Sequence, residues 1–288
     1  MTLVLAGLGY RYAGAPKQAL EGIDLVLEPG RVVGVAGRSE SGKSTLCLVA
    51  SGLAPASIGG EISGTRQLDG VDASALRPDE FAQRCGILFQ NPLTQLSGTA
   101  VTVFEEIAFG PRNLGLEVAD IVERVESTAA MLGIDPLLDR DPGRLSGGQA
   151  QLVALASVLA LRPGHLILDE PTSQLDPFGT RLVAENLVAL ARHGGTAILI
   201  VEHKPELLAT LADELVVLDG GTIVLAGPTR DVLASPDLGR HGVEPPAAVR
   251  IERAVAARGG TVDARVLVAA AGDASVPKPR RFPDERAS

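Results

Sequence analysis

Short, mostly apolar stretches without polar alternation recur along the chain at 32–36, 85–89, 165–170 and 196–201, the third ending in two acids. Runs of that length without polar alternation predict strands buried on both faces of a sheet. Helical patterns separate them. Residues 44–50 run without a breaker to Gly52, residues 152–161 stop at Pro163-Gly164, and Leu182, Val183, Leu187 and Leu190 precede a stop at Gly194-Gly195. Strand and helix in alternation predict an α/β fold around a mostly parallel sheet.

Other stretches break this rhythm. Residues 3–6 and the region around Tyr10-Arg11-Tyr12 predict a first strand, and 23–27 a second, with a turn at Gly14-Ala15-Pro16. Gly59-Gly60 to Gly64 and Gln67 to Gly70 predict small strands joined by glycine turns, so an antiparallel β subdomain flanks the core near the N-terminus. Across 117–132, Val118, Ile121, Val122, Val125, Ala129 and Leu132 fall on one helical face. Glu123, Arg124 and Glu126 fall on the other, as a solvated surface, and Gly133 suits the C-terminal stop. This marks a helical insertion at about 91–148. Residues 215–225 read as a closing hairpin with a glycine turn.

The composition shifts past Pro228. We expect one domain at 1–230, a small C-terminal extension at 231–274 with helical pieces at 247–258 and 262–271, and a disordered tail at 275–288. The tail's Lys278-Pro279-Arg280-Arg281 cluster reads either as a solvated fray or as a contact for lipid headgroups.

Composition narrows the function. With 45% apolar and 21% charged residues, the 288-residue chain is ordinary for a globular protein. Its most apolar stretch, 152–161, is too short for a membrane span and is interrupted by Arg162. The N-terminus lacks the basic region of a signal peptide. A net charge of -9, no Trp and 3% aromatics argue against a nucleic-acid partner. Cys47 and Cys85 have no partner motif and read as buried, reduced thiols.

The chemistry collects where apolar strands end. Gly37-Arg38-Ser39-Glu40-Ser41-Gly42-Lys43-Ser44-Thr45 fits G-x-x-x-x-G-K-[ST] between a strand and a helix. There, backbone N–H groups and the helix dipole favour phosphate, Lys43 meets the β- and γ-phosphates, and the Ser44 hydroxyl ligates Mg²⁺. The fold class becomes α/β of the P-loop NTPase type. Asp169 and Glu170 end a second strand. Adjacent acids there suit a metal ligand and a residue that orients hydrolytic water, or else a solvated strand end. Gln90 and His203 follow two further strands on the same sheet edge, although a lone amide or histidine is as readily structural. Ser146-Gly147-Gly148-Gln149 at the start of a helix forms a second anion nest. Tyr12 is either a stacking platform for adenine or a strand tyrosine with its hydroxyl in water.

In this order, the motifs resemble those of the nucleotide-binding subunit of ABC transporters over nearly all of 1–230. Gly37 to Thr45 matches Walker A, Gln90 the Q-loop, Leu145 to Gln149 the signature, Leu166 to Glu170 Walker B, Asp176 the D-loop, His203 the switch histidine and Tyr12 the adenine-stacking aromatic. Phe89-Gln90-Asn91-Pro92 through Gln95-Leu96, residues 102–116, and Gly242-Val243-Glu244-Pro245-Pro246 resemble the energy-coupling-factor (ECF) ATPases more narrowly. Those proteins power uptake of vitamins or of cobalt and nickel ions. The resemblance implies ATP with Mg²⁺, held by Ser44, Gln90 and Asp169. It implies a head-to-tail dimer with a copy or a paralogue, Ser146 and Gly148 of one subunit meeting the ATP of the other. It also implies membrane-embedded coupling and substrate-binding partners, and a peripheral place on the cytoplasmic face of the cell membrane. Repair and chromosome ATPases carry long coiled coils and translation factors carry paired cassettes; this chain has neither pattern, and within transport the alternative to the ECF type is the ATPase subunit of an exporter or a conventional importer. It departs from the family at Glu40 and Gln174, where glycine is usual, and at Ala150 and Leu152, where basic residues are common. The Glu40 carboxylate must point away from the phosphates, since like charges at short range cost on the order of several kcal/mol.

Overall fold

The computed structural model describes residues 2–258, and the chain divides into two units, Met1–Glu244 and Pro245–Ser288. In chain order the first unit forms β1 (Leu3–Arg11), β2 (Leu20–Leu27), β3 (Val32–Ala36), α1 (Lys43–Ala50) and a single irregular turn, α2 (Leu53–Ala56). β4 (Glu61–Leu68), β5 (Val71–Asp72), α3 (Pro78–Arg84) and β6 (Cys85–Leu88) follow. The helical region holds α4 (Val103–Asn113), α5 (Val118–Leu132) and α6 (Gly147–Leu159). Then come β7 (His165–Asp169), α7 (Pro177–Gly194), β8 (Ala197–Val201), α8 (Pro205–Leu211), β9 (Glu214–Asp219), β10 (Thr222–Pro228) and α9 (Thr229–Leu233). Among the described residues of the second unit the element is α10 (Ala247–Ala256). The readings made for 262–271 and 275–288 lie outside the described residues.

β3, β7 and β8 are buried at every position, as their unbroken apolar runs require. They belong to a six-stranded sheet ordered β10-β9-β3-β8-β7-β6, parallel except for the edge strand β10. Alternate residues feed two cores. Val32, Leu166, Leu168, Ile198 and Ile200 pack with α5 and α6, whereas Val33, Val35, Ile167, Leu199 and Val201 pack with α1 and the antiparallel sheet. Because the strands run parallel, the residues following β3, β6, β7 and β8 share one sheet edge, the usual ligand edge of such folds.

The antiparallel sheet has the order β2-β1-β4-β5. Its β4 corrects the expectation of separate small strands. Gly64 bends the strand without ending it: its φ is +75°, and a Cβ there would come within 2.4 Å of the Gly7 carbonyl oxygen. The two sheets are tied by the fully buried His165, whose Nε2 lies 3.0 Å from Asp69 Oδ1.

α5 departs from its predicted face. Ile121, Val125, Thr128, Ala129 and Leu132 are buried, while Val118, in the first turn, is 74% exposed. Its charged face is partly engaged: Glu123 pairs with Arg162, and Arg124 donates to the Ala160 and Leu161 carbonyls at the end of α6. Both cysteines are buried free thiols, with Cys47 pushed well above its ordinary value and Cys85 up to about 12, chiefly by burial.

Candidate functional site

The loop between β3 and α1 is fixed by its glycines. Gly37 has φ +148°, and a Cβ there would sit 2.2 Å from the Leu218 carbonyl oxygen. Gly42, with φ +104°, is the left-handed N-cap of α1 and approaches the Ala19 carbonyl. Glu40 adopts the same left-handed region with φ +63°, and it is exposed. A non-glycine residue held there costs about 1–2 kcal/mol. Gly221 N–H donates to the Ser41 carbonyl at 3.0 Å.

Arg38 is held from the far end of the unit. Its Nε lies 3.2 Å from Asp219 Oδ1, and its Nη2 donates to the Arg240 carbonyl at 2.7 Å. His241 Nδ1 meets the other Asp219 oxygen at 2.9 Å. The His241 hydrogen bond and then the Arg38 charge hold the Asp219 carboxyl below its ordinary value. Arg38 therefore braces the loop rather than facing its mouth.

Lys43, 6% exposed, donates through Nζ to the Gly37 and Arg38 carbonyls at 2.9 and 2.7 Å. Burial lowers its ammonium pKa, opposed by the negative charges of Glu170 and Asp169. Asp169 ends β7 at 6% exposure. Burial raises its carboxyl above the ordinary value, a hydrogen bond from Ser44 opposes this, and Glu170 adds to the rise. Asp169 Oδ1 is buried with no hydrogen-bond partner. A partnerless buried carboxylate oxygen beside a serine hydroxyl is a pair of hard oxygen donors, and it fits Mg²⁺.

Glu170 follows in the left-handed region with φ +52°. Its Oε1 lies 2.9 Å from Nε2 of His203, which stands just past β8. Ser39, Glu40, Gly42, Lys43, Ser44 and Thr45 line a cleft of about 600 Å³ together with Gln90, Glu170 and His203. Four strand ends thus meet at one cavity.

Other predicted residues lie elsewhere. Tyr12 does not line the cleft; its hydroxyl lies 3.1 Å from Thr45 Oγ1, and its ring packs edge-on against Tyr10. Asp176 N-caps α7 by accepting from Gly179 N–H at 2.7 Å. Ser146 and Gln149 form a capping box at the start of α6, and neither they nor Gly147 and Gly148 line the cleft. The Gln174 side chain crowds Gly147: a Cβ there would meet Gln174 Oε1 at 2.3 Å. Lys17, Gln18, Ala19, Gly220 and Gly221 complete the cleft wall and were not predicted. Nor was buried Glu202, whose one sequence signal is its adjacency to His203.

A glycine-bounded phosphate loop, a buried acid beside its serine and a Glu–His pair on one sheet edge define a nucleoside-triphosphate hydrolase of the phosphate-loop class. The sequence profile described as "ABC transporter" matches residues 20–173. The nickel import ATP-binding protein NikO of Rhodobacter capsulatus is 42% identical over 242 residues, covering 82% of this chain and 93% of that protein. A Pyrococcus abyssi relative, named only as an ABC transporter ATP-binding protein, is 37% identical over 255 residues, 88% of this chain and 90% of its own length. The structure is similar to that of cbiO1 from Clostridium perfringens, described as part of the ABC transporter complex cbiONQ. The TM-score is 0.71 at 31% identity, covering 83% of this chain and 92% of that one. The chain belongs to the ABC transporter family, as an ATP-binding subunit. Its activity is ATP hydrolysis coupled to transport.

Proposed function

We propose that this chain is one of two ATP-hydrolysing subunits that drive uptake of a small solute, a metal ion such as nickel or cobalt or else a vitamin, through an ECF-type transporter. The observation that carries the reading is the 42% identity to NikO across 93% of that protein. The cbiO1 likeness points the same way.

The chemistry follows from the residues. Lys43 and the N–H groups of residues 37–45 hold the phosphates, Gly37, Arg38, Ser39, Glu40, Ser41, Gly42 and Thr45 shaping the cradle. Ser44, Asp169 and Gln90 would hold Mg²⁺, and the ion bound there would neutralise charge on the phosphates. Glu170 polarises the attacking water, and His203 orients Glu170 and contacts the γ-phosphate. Tyr12, whose hydroxyl lies beside Thr45, would stack on adenine. Ser146, Gly147, Gly148 and Gln149 approach the site of a second subunit, and Asp176 stands where the two subunits meet. The helical region after Gln90 passes closure on to membrane-embedded partners. Among the described residues no helix is long and apolar enough to cross a membrane. Membrane-embedded partners hold the chain at the cytoplasmic face.

The test is uptake of labelled nickel, cobalt and vitamins by cells that carry either the wild-type chain or Glu170→Gln with its native membrane partners. Uptake of one solute should be lost in the variant. Unchanged uptake of all of them would overturn the ECF reading.

A further inference from the structure

Glu202 is 3% exposed and directly follows β8. A carboxylate in such a place is costly unless its oxygens are partnered. Both are. Oε1 accepts from the Thr172 hydroxyl, and Oε2 accepts from the His203 backbone N–H at 3.1 Å. Thr172 is fully buried in the turn after β7. Its carbonyl and hydroxyl oxygens also accept from Lys204 Nζ, at 3.1 and 3.2 Å. One buried acid thus joins the turn that follows Glu170 to the turn that begins at His203.

Those turns need holding. Glu170 keeps a left-handed backbone, φ +52°, which an unrestrained glutamate would leave. Its N–H donates to the Val201 carbonyl at 3.0 Å, and its carbonyl accepts from Ser173 N–H at 3.2 Å, so its backbone is anchored to the end of β8 and to the turn that holds Thr172. The His203 amide has the Glu202 carboxylate as its acceptor. The 2.9 Å contact between the Glu170 and His203 side chains spans the two turns that this carboxylate bridges.

We propose that Glu202 is a positioning residue: through Thr172 and the His203 amide, it sets the separation of Glu170 and His203 for hydrolysis. The inference rests on the roles given to Glu170 and His203 above. It predicts a split between chemistry and binding, because Glu202 does not line the nucleotide cleft. Displacing a reacting group by about 1 Å can cost 10²-fold in rate.

The experiment measures ATP turnover and nucleotide affinity in the complete complex with its membrane partners. Glu202→Ala should lose about 10- to 100-fold in kcat while ATP affinity stays within about threefold. Glu202→Gln should recover most of the rate, since an amide oxygen still accepts from the His203 N–H and its NH₂ still reaches Thr172. Thr172→Val, which keeps the packing volume, should share the kcat defect. The double variant Glu202→Ala with Thr172→Val should be no slower than the worse single variant, because both remove one bridge. If Glu202→Ala does not fold, Thr172→Val and Glu202→Gln carry the test alone. Wild-type kcat in Thr172→Val and Glu202→Ala would overturn the proposal, and so would parallel losses of kcat and affinity. Glu170→Gln is the control. Retained turnover there sinks the roles of the pair itself, whereas an inactive Glu170→Gln beside a fully active Glu202→Ala sinks only the bridge.

Discussion

The Glu170 carboxylate and the His203 imidazole, 33 positions apart in sequence, meet at 2.9 Å in the wall of the cleft that the phosphate loop also lines. Their strands, β7 and β8, are neighbours in parallel register, Asp169 opposite Val201, so the residues that follow them emerge side by side. The pair is a consequence of sheet topology. It puts a basic oxygen and a hydrogen-bonding ring where the mouth of the loop opens.

Glu170→Gln keeps the size of the side chain and removes its capacity to take a proton. We expect ATP turnover to fall by about 10²-fold or more, within the range general-base removal gives, with nucleotide binding retained. Steady-state hydrolysis together with bound-nucleotide stoichiometry checks it. Bound ATP should persist in a closed dimer.

Glu40→Gly should strengthen nucleotide binding. Removing a negative charge from the cleft wall favours the anionic nucleotide, while in stability the release of about 1–2 kcal/mol of left-handed strain is largely offset by an entropic loss of about 0.5–1 kcal/mol for glycine. A fewfold lower ATP Kd by calorimetry is the expected result, with thermal stability nearly unchanged.

Asp169→Asn separates function from stability. Burial raises the Asp169 carboxyl above its unfolded value, so its charged form destabilises the folded chain above that raised pKa. As the pH falls through the raised value toward the ordinary 3.8, the carboxyl protonates and the penalty disappears. Without nucleotide, the variant should therefore melt higher than wild type at neutral pH, by about 2–4 °C if the gain is about 1 kcal/mol. The difference should shrink on acidification. Mg²⁺-dependent turnover should be lost at every pH.

Much of the core was legible because its strands are apolar on both faces. The runs containing Val32, Leu166 and Ile198 became β3, β7 and β8 almost residue for residue. The phosphate loop and the strand-end polar residues were legible for the same reason, since parallel topology brings successive strand ends to one edge. Gly64 misled because a glycine that bends a strand and one that ends it look alike in sequence. Val118 misled because periodicity assigns a face without saying where the neighbouring helix stops. α3 was not predicted, and α4 was not delimited within the helical insertion: α3 is a short charged helix that begins at Pro78 and buries only Phe81, and α4 carries Pro111 within it. The Arg38–Asp219–His241 brace and the Thr172–Glu202 bridge were invisible, because each joins segments whose approach depends on the whole sheet being in place.

We propose that each nucleotide site is completed by the signature segment of another subunit. Ser146 caps α6 and does not line this chain's own cleft, so it provides the cleanest probe. The decisive measurement is ATP turnover and ATP binding by Ser146→Arg in the complete complex, beside wild type. The composite site predicts at least a tenfold loss of turnover, with ATP still bound at Lys43. Wild-type turnover in that variant would contradict it, showing that one chain hydrolyses ATP without help from a second.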